Sequence, residues 1–213
     1  MSRKNLIIFF LVFITQVLIA QNPFTNRNNG LITAMVSSFE DQICKYYNID
    51  KEKSHIAYSK YIKDLSYQKE NLTAITSIEE LELLSLSKKE LTNYIWITIK
   101  EKRKRSLAEN RIIIDYNNLN EATKKYHKRL KLTDDIICVN YFDEYSKQLI
   151  NSSENKNLKN IVTTLREVTD TSPYTTVYAF LNFKEERFKN NTLKTFIAFE
   201  FYYAILNRVD HNE

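Results

Sequence analysis

Glu200 is the residue whose type and neighbourhood best suit chemistry. It interrupts an apolar stretch running from Phe196 to Leu206, three residues after Ile197 and four before Ala204. One helical face therefore carries a carboxylate among core-like side chains. Burial penalises the charged form of a carboxyl group and lifts its pKa toward values useful in proton transfer. That is the basis for an enzymatic alternative, a carboxylate-dependent active site in a pocket around Glu200. The plainer role is structural, because a buried carboxylate without a partner is costly, and Arg187, Arg166 or a tyrosine hydroxyl could supply one.

The other candidate groups point away from catalysis. His55, His127 and His211 are the only imidazoles, and none stands in H-E-x-x-H or H-x-x-x-H spacing. No metal or cofactor is expected, the more so as His127 sits among Lys124, Lys125, Lys128 and Arg129, where charge opposes a cation. The carboxylates of Glu79-Glu80-Glu82 and Asp134-Asp135 follow Ser77 and Thr133, where acids favour a helix dipole. Glu40-Asp41, Asp143-Glu144 and Glu185-Glu186 are neighbours that a helix points about 100° apart. The chain has one glycine, Gly30, so the phosphate-cradling loops, the dinucleotide fingerprint and the nucleophile elbow are excluded.

Two further groups are candidates for roles outside catalysis. Lys100, Lys102, Arg103, Lys104 and Arg105 form the densest basic run, readable as a solvated helix end or as a contact for an acidic partner or anionic headgroups. Cys44 and Cys138 are the only cysteines, and in an oxidising compartment they are expected to pair.

The compartment follows from the first twenty residues. Arg3 and Lys4 precede an apolar run from Leu6 to Ile14 that continues through Val17-Leu18-Ile19 to Ala20, the layout of a secretory signal peptide. The run is shorter than a spanning helix needs, and Thr15 and Gln16 interrupt it. Residues 1–20 are thus read as a signal peptide, with retention as an anchor the alternative, and the product as periplasmic or secreted. Removing them lowers the net charge from +5 to +3, with 29 basic against 26 acidic residues. So small an excess gives no reason to expect nucleic acid.

With 14 Tyr and 12 Phe the chain can bury a sizeable core, and its scarcity of glycine and proline favours helices over hairpins. AT-rich coding would deplete both as well. After a lead-in over 21–30, residues 31–213 are expected to form one all-α domain, a bundle of six to nine helices around a central helix at 193–208. Ile32, Met35, Phe39 and Ile43 mark the first helix by their steps of three and four. Ser77 with Glu80, and Ser87 with Glu90, each match a capping box, and Ser172-Pro173 matches an N-cap followed by proline. The run 94–99 is read as helical despite β-rich residue types, and Thr133-Asp134-Asp135 is read as capping a helix that carries Ile137, Cys138, Tyr141, Phe142, Tyr145 and Leu149.

These features predict an exported helical binding protein that acts on a protein partner or on itself. Inhibitor- or immunity-like roles are one subclass, by size and export alone.

Overall fold

The computed structural model describes residues 29–69, 71–110, 120–153, 155–168 and 171–209. The signal-peptide segment 1–20 and most of the lead-in lie outside them. The lead-in's last two residues, Asn29 and Gly30, already belong to the first helix, α1 (Asn29–Tyr47). Its buried stripe is Ile32, Met35, Phe39 and Ile43, as the spacing predicts. A 3₁₀ turn at Lys51–Lys53 leads into α2 (Ser54–Ser66), which buries Ala57, Tyr58, Tyr61, Ile62 and Leu65.

Both helices end on a left-handed residue that is not glycine. Asn48 (φ 53°) closes α1, with Ile49 N–H donating to Cys44 O at 2.9 Å. Gln68 (φ 53°) closes α2, with Lys69 N–H donating to Asp64 O at 2.8 Å. These are Schellman closures, normally built on glycine. Asn93 (φ 64°) is a third left-handed residue, in the turn before Trp96, to whose carbonyl its N–H donates at 2.8 Å.

The short helix α3 (Leu72–Ile75) follows, with the Asn71 side chain accepting from the Ala74 N–H at its start. Then comes α4 (Ile78–Glu90), opened by the predicted capping box: the Ser77 backbone N–H donates to Glu80 Oε2 at 2.8 Å. The second box does not form. Ser87 lies inside α4, because the helix started at Ser77 simply continues through it to Glu90.

The helical reading of 94–99 and 136–139 is corrected. Trp96–Thr98 (β1) and Ile137–Val139 (β2) pair antiparallel, with Trp96 opposite Val139, Ile97 opposite Cys138 and Thr98 opposite Ile137. The β-branched and aromatic side chains prevail once a partner strand is available to satisfy the backbone. Helix α5 (Ile99–Glu109) follows β1 directly, capped by Thr98, whose hydroxyl accepts from Glu101 N–H at 3.2 Å. Helix α6 (Glu121–Lys131) precedes β2, and α7 (Glu144–Ser152) begins only after Asp143.

The remainder is helical as expected. After α8 (Lys156–Glu167), α9 (Pro173–Thr176) starts on its proline and runs into a 3₁₀ turn at Val177–Phe180. Another 3₁₀ turn, Glu185–Lys189, precedes the central rod, which comprises α10 (Asn191–Ile197), a π-helical segment (Ala198–Tyr203) and α11 (Ala204–Val209). Every residue from Leu193 to Asn207 is buried except half-buried Lys194. Around the rod Phe39 stacks on Tyr202 (4.6 Å), Phe180 on Phe196 (5.4 Å), and Trp96 tilts on Phe199 (5.6 Å). Burying an aromatic of this size contributes roughly 1.5–3 kcal/mol, so these rings supply much of the core's stability.

Among the described residues no helix is long and apolar enough to cross a membrane.

Candidate functional site

Glu200 lies in the π segment, where the widened turn is a frequent companion of unusual side-chain demands. It is 6% exposed, and its partner is one of the expected kinds, a tyrosine hydroxyl: Tyr141 donates to Oε2 at 2.7 Å. The two arginines are engaged elsewhere. Arg166 pairs with Glu109, while Arg187 lies 5.4 Å over the Phe183 ring and donates to Asn155.

Four elements bring the rest of the cluster together. Tyr141 follows β2, Tyr145 comes from α7, and Arg208 from α11. Lys102, on α5, is 5% exposed and sits 5.7 Å over the Tyr141 ring. Desolvation raises the Glu200 pKa above the ordinary carboxylate range, opposed by Lys102, the Tyr141 hydrogen bond and Arg208. Tyr141 and Tyr145 are pushed well above the usual phenol range, first by burial and then by the charge on Glu200. Lys102 was legible only as a member of the basic run. Its spacing from Ile99 and Ser106, the other buried residues of α5, was the available signal for its inward position.

This arrangement can hold a proton on a buried carboxyl group. Its geometry is that of an internal tie, with Glu200 drawing the strand ribbon and α5 onto the central rod. A second tie is built in the same way. Lys194 Nζ bonds Glu40 at 2.6 Å and Ser54 Oγ at 2.9 Å and lies 5.4 Å over Tyr58, joining α10 to α1 and α2.

The basic run fans around α5 rather than forming one patch. Arg103 bonds Asp134, Thr133 and the Leu130 carbonyl, fixing the end of α6 against α5. Arg105 pairs with Glu101 (3.0 Å) and Asp143 (2.6 Å). Lys102 is buried, and Lys100 and Lys104 face solvent.

The expected Cys44–Cys138 bridge is corrected: both thiols are free and buried. Cys44 packs in the main core, whereas Cys138 belongs to a separate small cluster with Ile97 and Ile99. Burial pushes the Cys138 thiol up to about 11 and raises that of Cys44 as well.

Among the described residues no three His, Cys, Asp or Glu side chains converge on a metal position. His55 lies on α2, 3.8 Å from Glu186, the His127 side chain falls outside the description, and His211 lies beyond the described residues.

The least expected surface belongs to α4. Its inward face carries Glu80 and Ser87, both 0% exposed, beside Leu84. Glu80 is satisfied by the Ser77 backbone N–H and by the hydroxyls of Ser77 and Ser38, the latter from α1. Ser87 donates to the Leu84 carbonyl and accepts from the Trp96 indole. The outward face carries Ile78 (76% exposed), Leu81 (44%) and Leu86 (45%). Polar groups are thus buried and large apolar ones exposed on the same helix.

No family model matches the chain, no curated protein matches it, and no solved structure matches it.

Proposed function

We propose that the protein is an exported interaction module that engages a protein partner through the outward face of α4. The observation that carries this reading is the inversion of that helix. Three large aliphatic side chains held in water on one short helix are a standing cost, offset when a partner covers them. Export rests on the charged and apolar layout of residues 1–20. Glu200 fits this reading as a structural group, since Tyr141 and Lys102 already occupy its surroundings inside the core. The anionic-surface reading draws less support, because Lys102, Arg103 and Arg105 are engaged within the fold.

The test is capture of interacting protein by the purified chain in its native host, comparing the natural sequence with the double variant Leu81→Asp, Leu86→Asp. A partner, whether a second copy or another protein, is expected to be held by the first and released by the second. Equal retention by both would overturn the assignment to α4. Fractionation supplies the compartment: recovery in the cytoplasm with Met1 intact would overturn export.

A further inference from the structure

Resting on that reading, the geometry points to a second copy of this chain as the occupant of the α4 face, docked antiparallel about a two-fold axis. The exposed positions along the stripe are Ile78, Leu81, Glu82, Ser85, Leu86 and Lys89, spaced by steps of three and one. Within this stripe acidic Glu82 lies toward the N-terminal end and basic Lys89 toward the C-terminal end, with exposed Glu79 and Glu90 along its edge. This distribution already suits the dipole of α4 itself. It also makes the face complementary to its own antiparallel copy, which a parallel copy would not be.

The register follows from the spacing. Setting Glu82 of one copy opposite Lys89 of the other satisfies Lys89 and Glu82 on the far side by symmetry, as an isologous interface requires. The two-fold axis then falls between positions 85 and 86. The axis passes through both self-contacts, Leu86 meeting its counterpart at one edge of the helix pair and Ser85 meeting its counterpart at the other. Ile78 and Leu81 flank this centre along the pair. The two Glu82–Lys89 pairs bracket the central Leu86 contact and Ile78 and Leu81 lie outside them, with the charges fixing the orientation as they do in other helix pairs. A 13-residue helix is about 20 Å long and presents one ridge, so the association is modest, below the roughly 800 Å² per partner of a standard stable complex.

Ser85→Cys tests this directly, since the position is exposed and the natural thiols, Cys44 and Cys138, are buried. Under mild oxidation of the purified protein, Ser85→Cys is expected to form a disulfide-linked dimer at least tenfold faster than Lys104→Cys on exposed α5. Adding Leu86→Asp is expected to abolish the difference. Charge reversal supplies a second readout. Glu82→Lys alone is expected to weaken association about fivefold, and Glu82→Lys with Lys89→Glu to restore it, as expected for ion pairs at an interface rim. Equal cross-linking at positions 85 and 104, or no rescue by the double reversal, would overturn the two-fold pairing. A heterologous protein captured by the natural chain and lost with Leu81→Asp, Leu86→Asp, while Ser85→Cys stays uncrosslinked, would overturn this inference and leave the α4 reading standing.

Discussion

The Trp96 indole N–H donates to the Ser87 hydroxyl at 3.0 Å, joining the start of β1 to the inner face of α4. Both residues are essentially buried, and the same hydroxyl donates to the Leu84 carbonyl at 2.8 Å. Ser87→Ala leaves the indole N–H without its partner in a place water does not reach. The expected loss is about 1–3 kcal/mol in denaturant unfolding, followed by the fluorescence of this single tryptophan.

The left-handed closure of α2 at Gln68 is occupied by a residue that resists that conformation. Gln68→Gly removes a strain of about 1 kcal/mol while loosening the unfolded chain. A net gain of about 0.5 kcal/mol is expected in thermal unfolding. Asn48→Gly should gain less, because asparagine tolerates the left-handed region better. Destabilisation at Gln68 would contradict the assigned closure.

The thiol chemistry follows from burial. Intact-mass measurement without reductant should show no alkylation of the native protein in a brief exposure and two alkyl groups after denaturation. Cys138, with its pKa pushed up to about 11, carries little thiolate near neutrality and is expected to react only through unfolding. A mass showing no added groups after denaturation would mean a bridge after all.

Glu200 gives the fold a signed dependence on pH. Its folded pKa is raised above the ordinary value of 4.5 by burial, so its contribution to stability is fully present below that value and lost as pH rises through the raised one. Glu101, Glu109 and Glu186, held low by their cationic partners, act in the opposite sense, their contributions being lost on acidification. Comparing the natural protein with Glu200→Gln cancels these shared contributions. The variant's Tm is expected to rise relative to the natural protein between about pH 4 and about pH 7. A flat difference would show that Lys102 and Tyr141 fully offset the burial.

Local pattern carried most of the helices, because Ile32, Met35, Phe39 and Ile43 declare their face by spacing alone, and Ser77 reaches Glu80 within one turn. Segments governed by distant partners were not legible. Trp96–Thr98 becomes a strand only because Ile137–Val139, some forty residues on, pairs with it. Ser87 and Glu90 have the same local pattern as Ser77 and Glu80, yet Ser87 is claimed by Trp96. Glu200 stands out by its place in an apolar run, but its spacing leaves Arg187, Arg166 and a tyrosine hydroxyl equally open as partners, while Lys102 is hidden in a charge run that looks uniformly solvated. The expected cysteine pair failed for the same reason: sequence spacing does not show that Cys44 and Cys138 pack in separate clusters. Glycine scarcity, too, is more than a sign of helices, since Asn48, Gln68 and Asn93 stand where glycine would serve.

The central claim is that the outward face of α4 joins two copies of the chain rather than serving the fold. Sedimentation velocity over a concentration series, run on the natural protein and on Leu81→Asp, Leu86→Asp, tests it most directly. The natural protein is expected to shift toward the dimer as concentration rises, while the variant stays monomeric with the compact frictional ratio of a folded chain. Identical monomeric behaviour of both, or an expanded, unfolded variant, would contradict it.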